Sequence, residues 1–232
     1  MKNAGSINQP YFFPYIGFFQ MLSKSEVFVS LDDVSMITRG FVHRNFLMDG
    51  KEVKRFTIPI QKISQNKTIH ETFTSDWPKY SDRFWKKLRA DYGTESYFCQ
   101  VEQMWEQIDQ SKNQSIADLS LETLKVTSRF FGFKTKFLKY SAIQPSASKG
   151  QDRILDICEH LSINEYWNLP GGRKLYSKEL FSDRQIKLSF VEVQDYWKRN
   201  CDNGAKLHVS ILDIIARYPR QDIIHYFSTE GR

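Results

Sequence analysis

The amino-acid sequence predicts an α/β fold, a mostly parallel sheet with helical insertions, and three observations carry that reading. Residues 5–32 read strand, helix, strand over roughly thirty residues, the usual length of a βαβ crossover. The second of those strands, EVFVSLD (26–32), is a near-continuous apolar run, the pattern of a strand covered on both faces. Further along, strand-like and helix-like periodicities interleave rather than segregate, which argues for layered α/β architecture.

Taken in order, residues 5–9 read as a short buried strand. In PYIGFFQMLSKS, Ile16, Phe19 and Gln20/Met21 fall at helical spacing, and Pro14 suits a first helical turn because its missing N–H would be unsatisfied there anyway. The turn between strand and helix therefore holds Gln9, Pro10 and Tyr11. VKRFTIPI (53–60) and KTIHETFT (67–74) alternate enough to be two strands joined by the polar loop QKISQN. From Trp77 the period becomes helical. Trp77, Tyr80, Phe84 and Leu88 form one face; Tyr97, Val101, Met104, Trp105 and Ile108 a second; Ile116, Leu119, Thr123, Leu124 and Phe130 a third. Gly132 is placed as the C-cap of the third helix, and Ser111 with Gln114 as a capping box before it. KTKFLKYSAI (134–143) reads as a strand, QPSASKGQ as the most linker-like segment, and DRILDICEHL as an amphipathic helix with Ile154, Ile157, Cys158 and Leu161 inward. IKLSFVEV (186–193) reads as a strand and HVSILDIIARY (208–218) as a last helix. The expectation is one α/β domain over 1–232, with a helical insertion at about 77–132.

The chain has 232 residues, 41% hydrophobic and 15% aromatic, enough to build a sizeable core, and a formal charge of +6. That charge suits an anionic partner or ordinary solubility, and it does not choose between them. Three dispersed cysteines indicate neither a disulfide framework nor a zinc site, and reduced thiols in the cytoplasm are expected. No signal peptide or membrane-spanning run is expected. FWKKLRADY, the nearest thing to a nucleic-acid stripe, is better explained as a helix with a solvated basic face. Dispersed histidines give metal binding little support, and nothing names a cofactor.

In an open α/β sheet, ligands bind beyond the strand carboxyl ends. The first candidate is Gln9-Pro10-Tyr11 before the first helix, where free N–H groups suit a phosphate or carboxylate; Gln9 offers an amide and Tyr11 a ring or hydroxyl, unless the aromatics simply cap the core. The second is Asp32-Asp33, which suits a general base, a ribose hydroxyl or a plain turn. The third is RGFVHRN, where Arg44 suits phosphate, Asn45 lies beside it, and His43 is an acid or base near neutral pH. LPGGRKLYSKELF places Gly171-Gly172 and Tyr176 in a turn whose bare amides suit an anion. KLHVSILD places His208, Ser210 and Asp213 at a helix start. A Ser/His/Asp triad is rejected there: no G-x-S-x-G elbow occurs, and the three crowd one helical turn.

Together QPYFFPYIGFF, VFVSLDD, HRN, YGTESYF, DRILDIC, LPGG…Y…ELF and VSILDII resemble the WbqC-like proteins in order and spacing over nearly the whole chain. Many members have a histidine before the QP and a tryptophan after the second proline, where this chain has Asn8 and Tyr15. The resemblance implies a setting in bacterial O-antigen and surface polysaccharide gene clusters. It carries over Gln9, Tyr11, Gly17, Asp32, Asp33, Arg44, Asn45, Gly171, Tyr176, Ser210 and Asp213 as site positions. The opening unit is also similar to HUP-type nucleotidyltransferases, so a Rossmann-like or HUP-like sheet is expected. PYIGF lacks their H-x-G-H, so adenylyl transfer by that mechanism is not expected.

Two functional readings follow from the resemblance and the residues. One is a cytoplasmic transferase that N-glycylates or otherwise N-acylates a nucleotide-linked amino sugar. Its phosphates would lie at the helix start after Pro14, near Arg44, and Asp32 or Asp33 would take the amine proton. The other is a non-catalytic nucleotide-sugar-binding or partner protein, which predicts an exposed apolar patch among the aromatics of residues 77–108.

Overall fold

The chain, described from a computed structural model, covers residues 3–229 except 38, 65, 144–146, 202 and 203. Its opening unit is β1 (Ala4–Asn8), α1 (Ile16–Ser23) and β2 (Val27–Ser30). An antiparallel hairpin follows, β3 (Arg44–Asp49) and β4 (Glu52–Thr57). Three helices come next, α2 (Trp77–Tyr92), α3 (Phe98–Trp105) and α4 (Ile116–Phe131). The chain then returns to β5 (Lys136–Lys139), the one-turn α5 (Tyr140–Ile143), α6 (Gly150–His160), β6 (Glu165–Asn168), α7 (Lys178–Asp183) and β7 (Lys187–Phe190). A second small hairpin, β8 (Lys198–Asn200) and β9 (Lys206–His208), leads into α8 (Ile211–Arg217) and α9 (Arg220–Thr229).

Five strands form one parallel sheet in the order β5-β2-β1-β6-β7. The chain lays β2 and β5 outward on one side of β1, then crosses back to place β6 and β7 on the other. That doubly wound, Rossmann-like order reverses between β1 and β6. Both faces are covered. Phe28 packs with Phe18, Phe19 and Met21 of α1 and with α4, α8 and α9. Ile7, Val27, Val29 and Tyr166 pack instead with Leu155 and Ile157 of α6 and Phe181 of α7. Full burial of one such aliphatic or aromatic side chain contributes about 1.5–3 kcal/mol, so the apolar run in β2 is accounted for by its two covers.

Local chemistry sets the element ends. Gly132 closes α4 in the left-handed region at φ +80°, and Phe133 N donates to Ser128 O at 2.9 Å across it, a Schellman closure. The N-cap of α4 is Ser115, whose hydroxyl accepts from Ala117 N, rather than the Ser111 box. Trp77, Phe84, Tyr92, Phe98 and Trp105 are buried and Tyr80, Trp85 and Tyr97 half-buried, so none of the aromatics of 77–108 is fully exposed, against the broad exposed patch that the binding-protein reading requires.

Three segments differ from the sequence expectation. Residues 53–57 pair with Arg44–Asp49, not with 67–74, because Gly50-Lys51 makes a two-residue turn between the paired Asp49 and Glu52. Gly50 at φ +60° supplies the first central position of a type II′ turn. Among the described residues, 67–74 carry only isolated bridges, Ser35 to Thr68, Ile60 to Thr74 and Phe73 to Ser115. The expected strand 134–143 ends at Lys139 and turns into α5.

Candidate functional site

The carboxyl ends of β2 and β6 flank that of β1, and a cavity of about 600 Å³ lies beyond the end of β2. Three segments build its walls: the loop after β2 with Leu31 and Asp33, the first turn of α6 with Gln151 and Arg153, and Tyr176 beyond β6. Such a volume is that of a small-molecule site. Gly150 stands at φ +58° with open space where a side chain would be, so bare backbone faces the cavity at the start of α6.

Asp33 and Arg153 are the charged pair of this cavity. Arg153 Nη1 donates to both Asp33 carboxylate oxygens at 3.0 and 3.1 Å, its Nε donates to Ser148 O at 2.8 Å, and its guanidinium lies 4.8 Å over the Tyr140 ring. The pair is partly solvated, at 16% and 21% exposure for the arginine and aspartate side chains. Gln151 Oε1 accepts from Ser177 N and so ties α6 to the segment bearing Tyr176. Tyr176 itself stands edge-on to the buried Tyr166 and Phe181.

Asp32 faces elsewhere. It is fully buried, and its carboxylate accepts from Ser141 N at 2.9 Å and Ser141 Oγ at 2.6 Å, which pins α5 to the end of β2. The two neighbouring aspartates thus do different work: Asp33 lines the cavity and Asp32 locks its frame.

At the switch point, Asn8 Nδ2 reaches Asn168 Oδ1 at 3.5 Å, and Asn168 Oδ1 also accepts from Leu169 N at 2.7 Å. Gln9 N donates to Asn8 Oδ1. Gly171 and Gly172 lie in the 3₁₀ turn Pro170–Lys174. A Cβ on Gly172 would fall 2.6 Å from Asn168 Nδ2 and 3.2 Å from Tyr176, whereas one on Gly171 would meet nothing. The second glycine is there for close approach, not for a positive φ.

The other sequence candidates gather in a second place, around the loop that follows β1. Phe13 sits at φ +40°, a strained conformation for an aromatic residue. Three partners hold it: its N–H donates to Thr123 Oγ1 at 3.1 Å, and its carbonyl accepts from Asn45 Nδ2 at 2.6 Å and Ser210 Oγ at 2.8 Å. Tyr11 Oη donates to Asn45 Oδ1, and Ser210 caps α8 through Leu212 N. Asp213, fully buried, accepts from Arg199, Arg217 and Tyr92. Gly17 lies so close to Tyr15 and Val193 that a Cβ would sit within 2.5 Å of both. His208 lies against the Tyr15 ring at 4.8 Å.

This packing covers the first turn of α1. Ile16 is buried, Pro14 O accepts from Ile211 N, and burial pushes the Tyr15 hydroxyl up to about 12. His43 is buried with Nδ1 unpartnered and Nε2 accepting from Arg44 Nε at 3.3 Å; burial first, then the Arg44 charge, lowers it to about 4. Burial, then Lys198, lowers His208 to about 4 as well. Cys158 is core, its thiol raised to about 12 by burial. Among the described residues, no group of three His, Cys, Asp or Glu side chains is arranged to hold a metal ion, and no helix is long and apolar enough to cross a membrane.

Arg153, Gln151, Asn168 and Ser141 were not singled out from sequence. The one signal for Arg153 is its place in DRILDIC, a segment that reads as an amphipathic helix and is part of the family resemblance, with no site role given to it.

The sheet order and the cavity beyond the end of β2 define a doubly wound α/β protein with a candidate ligand site at that strand end. The chain belongs to the WbqC-like protein family, whose sequence profile matches residues 9–225. It is 24% identical over 222 residues, 93% of each chain, to a protein of Mycobacterium tuberculosis (strain ATCC 25618 / H37Rv) called uncharacterized protein Rv1507c. No solved structure matches it.

Proposed function

We infer that this WbqC-like protein is a transferase that N-acylates a nucleotide-linked amino sugar, with N-glycylation as the most concrete case, in the assembly of a surface polysaccharide. The observation that supports this most directly is the Asp33–Arg153 pair at the wall of the cavity beyond the end of β2. In this reading the anionic part of the substrate lies against Arg153, Lys149 and the bare amide of Gly150, so the phosphate position moves from the covered start of α1 to the open start of α6. Tyr176 offers a ring and hydroxyl for the sugar or base. The amine nitrogen attacks the carbonyl of an activated acyl donor, the bond to the activating group breaks, and Asp33 accepts the proton the amine gives up. Asn45, Ser210 and Asp213 serve this site at a distance by fixing the loop after β1.

The test is incubation of the full chain with nucleotide-linked amino sugars and activated glycine or an acyl thioester, read by mass. An added glycyl or acyl mass on the sugar, lost in Asp33→Asn, is expected; no mass change with any pair would overturn the reading. Burial of Trp77, Phe84, Tyr92, Phe98 and Trp105 weighs against a purely non-catalytic partner protein.

A further inference from the structure

A second concavity lies between the β3–β4 hairpin and α2, with a volume of about 410 Å³. Leu47, Met48, Phe56, Phe84 and Leu88 form its apolar lining, and Tyr80 adds a ring with a single hydroxyl. The hollow falls in the volume range of small-molecule sites.

The rim has the opposite character: Lys54, Arg55, Arg83 and Lys87 against the single carboxylate of Asp49. The two lysines are already paired, Lys54 with Glu52 at 2.9 Å and Asp49 at 3.5 Å, Lys87 with Asp91 at 2.9 Å and Asp49 at 3.0 Å. Arg55 and Arg83, both exposed, form no ion pair among the described residues. They come from two different elements, β4 and α2, and converge on one mouth.

We propose that this cleft binds a single-chain anionic amphiphile, its alkyl chain on the Phe56–Phe84–Leu88 floor and its phosphate or carboxylate between Arg55 and Arg83. Guanidinium groups match the planar and tetrahedral oxyanions with paired hydrogen bonds, and the chain asks for nothing but apolar area. A nucleobase fits the lining less well than an alkyl chain, because the Tyr80 hydroxyl is the one polar group among its uncharged side chains. The cleft also backs onto the loop after β1. Phe12 packs edge-on behind Phe56 at 6.1 Å and Phe84 at 6.2 Å, so a chain on the floor is one ring away from the loop that borders the switch region.

Calorimetric titration of the full chain with decyl phosphate, decanoate, decanol and inorganic phosphate tests this. Decyl phosphate or decanoate is expected to bind at least about tenfold more tightly than decanol or phosphate. The double variant Arg55→Gln/Arg83→Gln, at two exposed positions, is expected to weaken the anionic amphiphile about tenfold and leave decanol unchanged. Met48→Trp, which fills the cleft, is expected to block both, and Arg153→Gln to change neither, so the result is independent of the Asp33 cavity. Equal binding of decanol and decyl phosphate, binding of inorganic phosphate as tight as decyl phosphate, no binding at all, or indifference to both cleft variants would overturn the proposal.

Discussion

Arg153 reaches Asp33 with one guanidinium nitrogen 3.0 Å and 3.1 Å from its two carboxylate oxygens, and so fastens the first turn of α6 to the loop after β2. The same side chain donates to Ser148 O, so its planar fork is committed to two partners in fixed directions. Arg153→Lys cannot reproduce both contacts. It should therefore behave nearly like Arg153→Gln: nucleotide-sugar affinity falls about tenfold, since about 1.4 kcal/mol of charge-assisted contact is lost. Titration calorimetry with the sugar found by mass screening checks this, and full affinity in Arg153→Lys would refute it.

Asp32 and Asp33 should separate under the same isosteric change. Asp32→Asn breaks the charge-assisted bonds from Ser141 in a fully buried setting and should cost about 2 kcal/mol, seen as a lowered denaturation midpoint. Asp33→Asn leaves the fold nearly as stable and abolishes acyl transfer. The paired measurement is urea denaturation beside turnover, and the opposite pattern would reverse the assignment of frame and base.

Asp213 holds three elements at once. Its buried carboxylate takes Arg199 from β8 at 2.7 Å, Arg217 from its own helix at 2.9 Å and the Tyr92 hydroxyl from α2 at 3.2 Å. Removing the charge takes the shared acceptor from Arg199, Arg217 and Tyr92, and only Arg217 keeps a second carboxylate among the described residues, Glu95. Asp213→Ala is expected to destabilise by about 3 kcal/mol, and a loss under about 1 kcal/mol in denaturant titration would contradict it.

The opening crossover was legible because its signals are local: an apolar run in β2 and a proline at a helix start. β6, the strand that completes the switch region, was not. Its four residues, Glu165 to Asn168, show no alternation, and its buried Glu165 pairs through Oε1 with Lys187, a partner from the next strand over. Sequence pattern shows the polar residue and hides the partner. The hairpin difference has a similar origin, since Gly50 at the turn stood in view while the alternation of 67–74 drew the pairing away. For the site, Asp33, Tyr176 and the two glycines were named, but Arg153 lies 120 positions from its aspartate and no periodicity links them. Asn45 and Ser210 were named as substrate contacts. The structure puts their hydrogen bonds on Phe13 O, which explains why such residue types stand there: a strained carbonyl needs side-chain donors.

Acid should weaken the fold through His43. Its folded pKa of about 4 lies below the ordinary value of 6.5, so between those limits the unfolded chain binds more protons than the native one. Stability is full above about pH 6.5 and falls as pH drops towards 4, by on the order of 2–3 kcal/mol from this group. His208 adds a slope of the same sign. His43→Gln should flatten part of the decline in melting temperature between pH 6.5 and 4, and an unchanged decline would show that the imidazole does not carry it.

Gly171 and Gly172 are adjacent and chemically identical, yet their surroundings make opposite predictions for one methyl group. At Gly171 the added Cβ enters open space; Gly171→Ala should fold normally, shift stability by less than about 0.5 kcal/mol and leave ligand affinity intact. At Gly172 the Cβ would collide with Asn168 Nδ2 at 2.6 Å and press Tyr176 at 3.2 Å. Asn168 cannot yield freely, because its Oδ1 is fixed by Leu169 N and faces Asn8 across the switch point. The strain should cost about 1–3 kcal/mol and tilt Tyr176 within the cavity wall. Gly172→Ala is therefore expected to lower both the denaturation midpoint and nucleotide-sugar affinity, while Gly171→Ala lowers neither. Equal behaviour of the two variants would mean that the turn is plain chain reversal and that Asn168 and Tyr176 are not held in register by it.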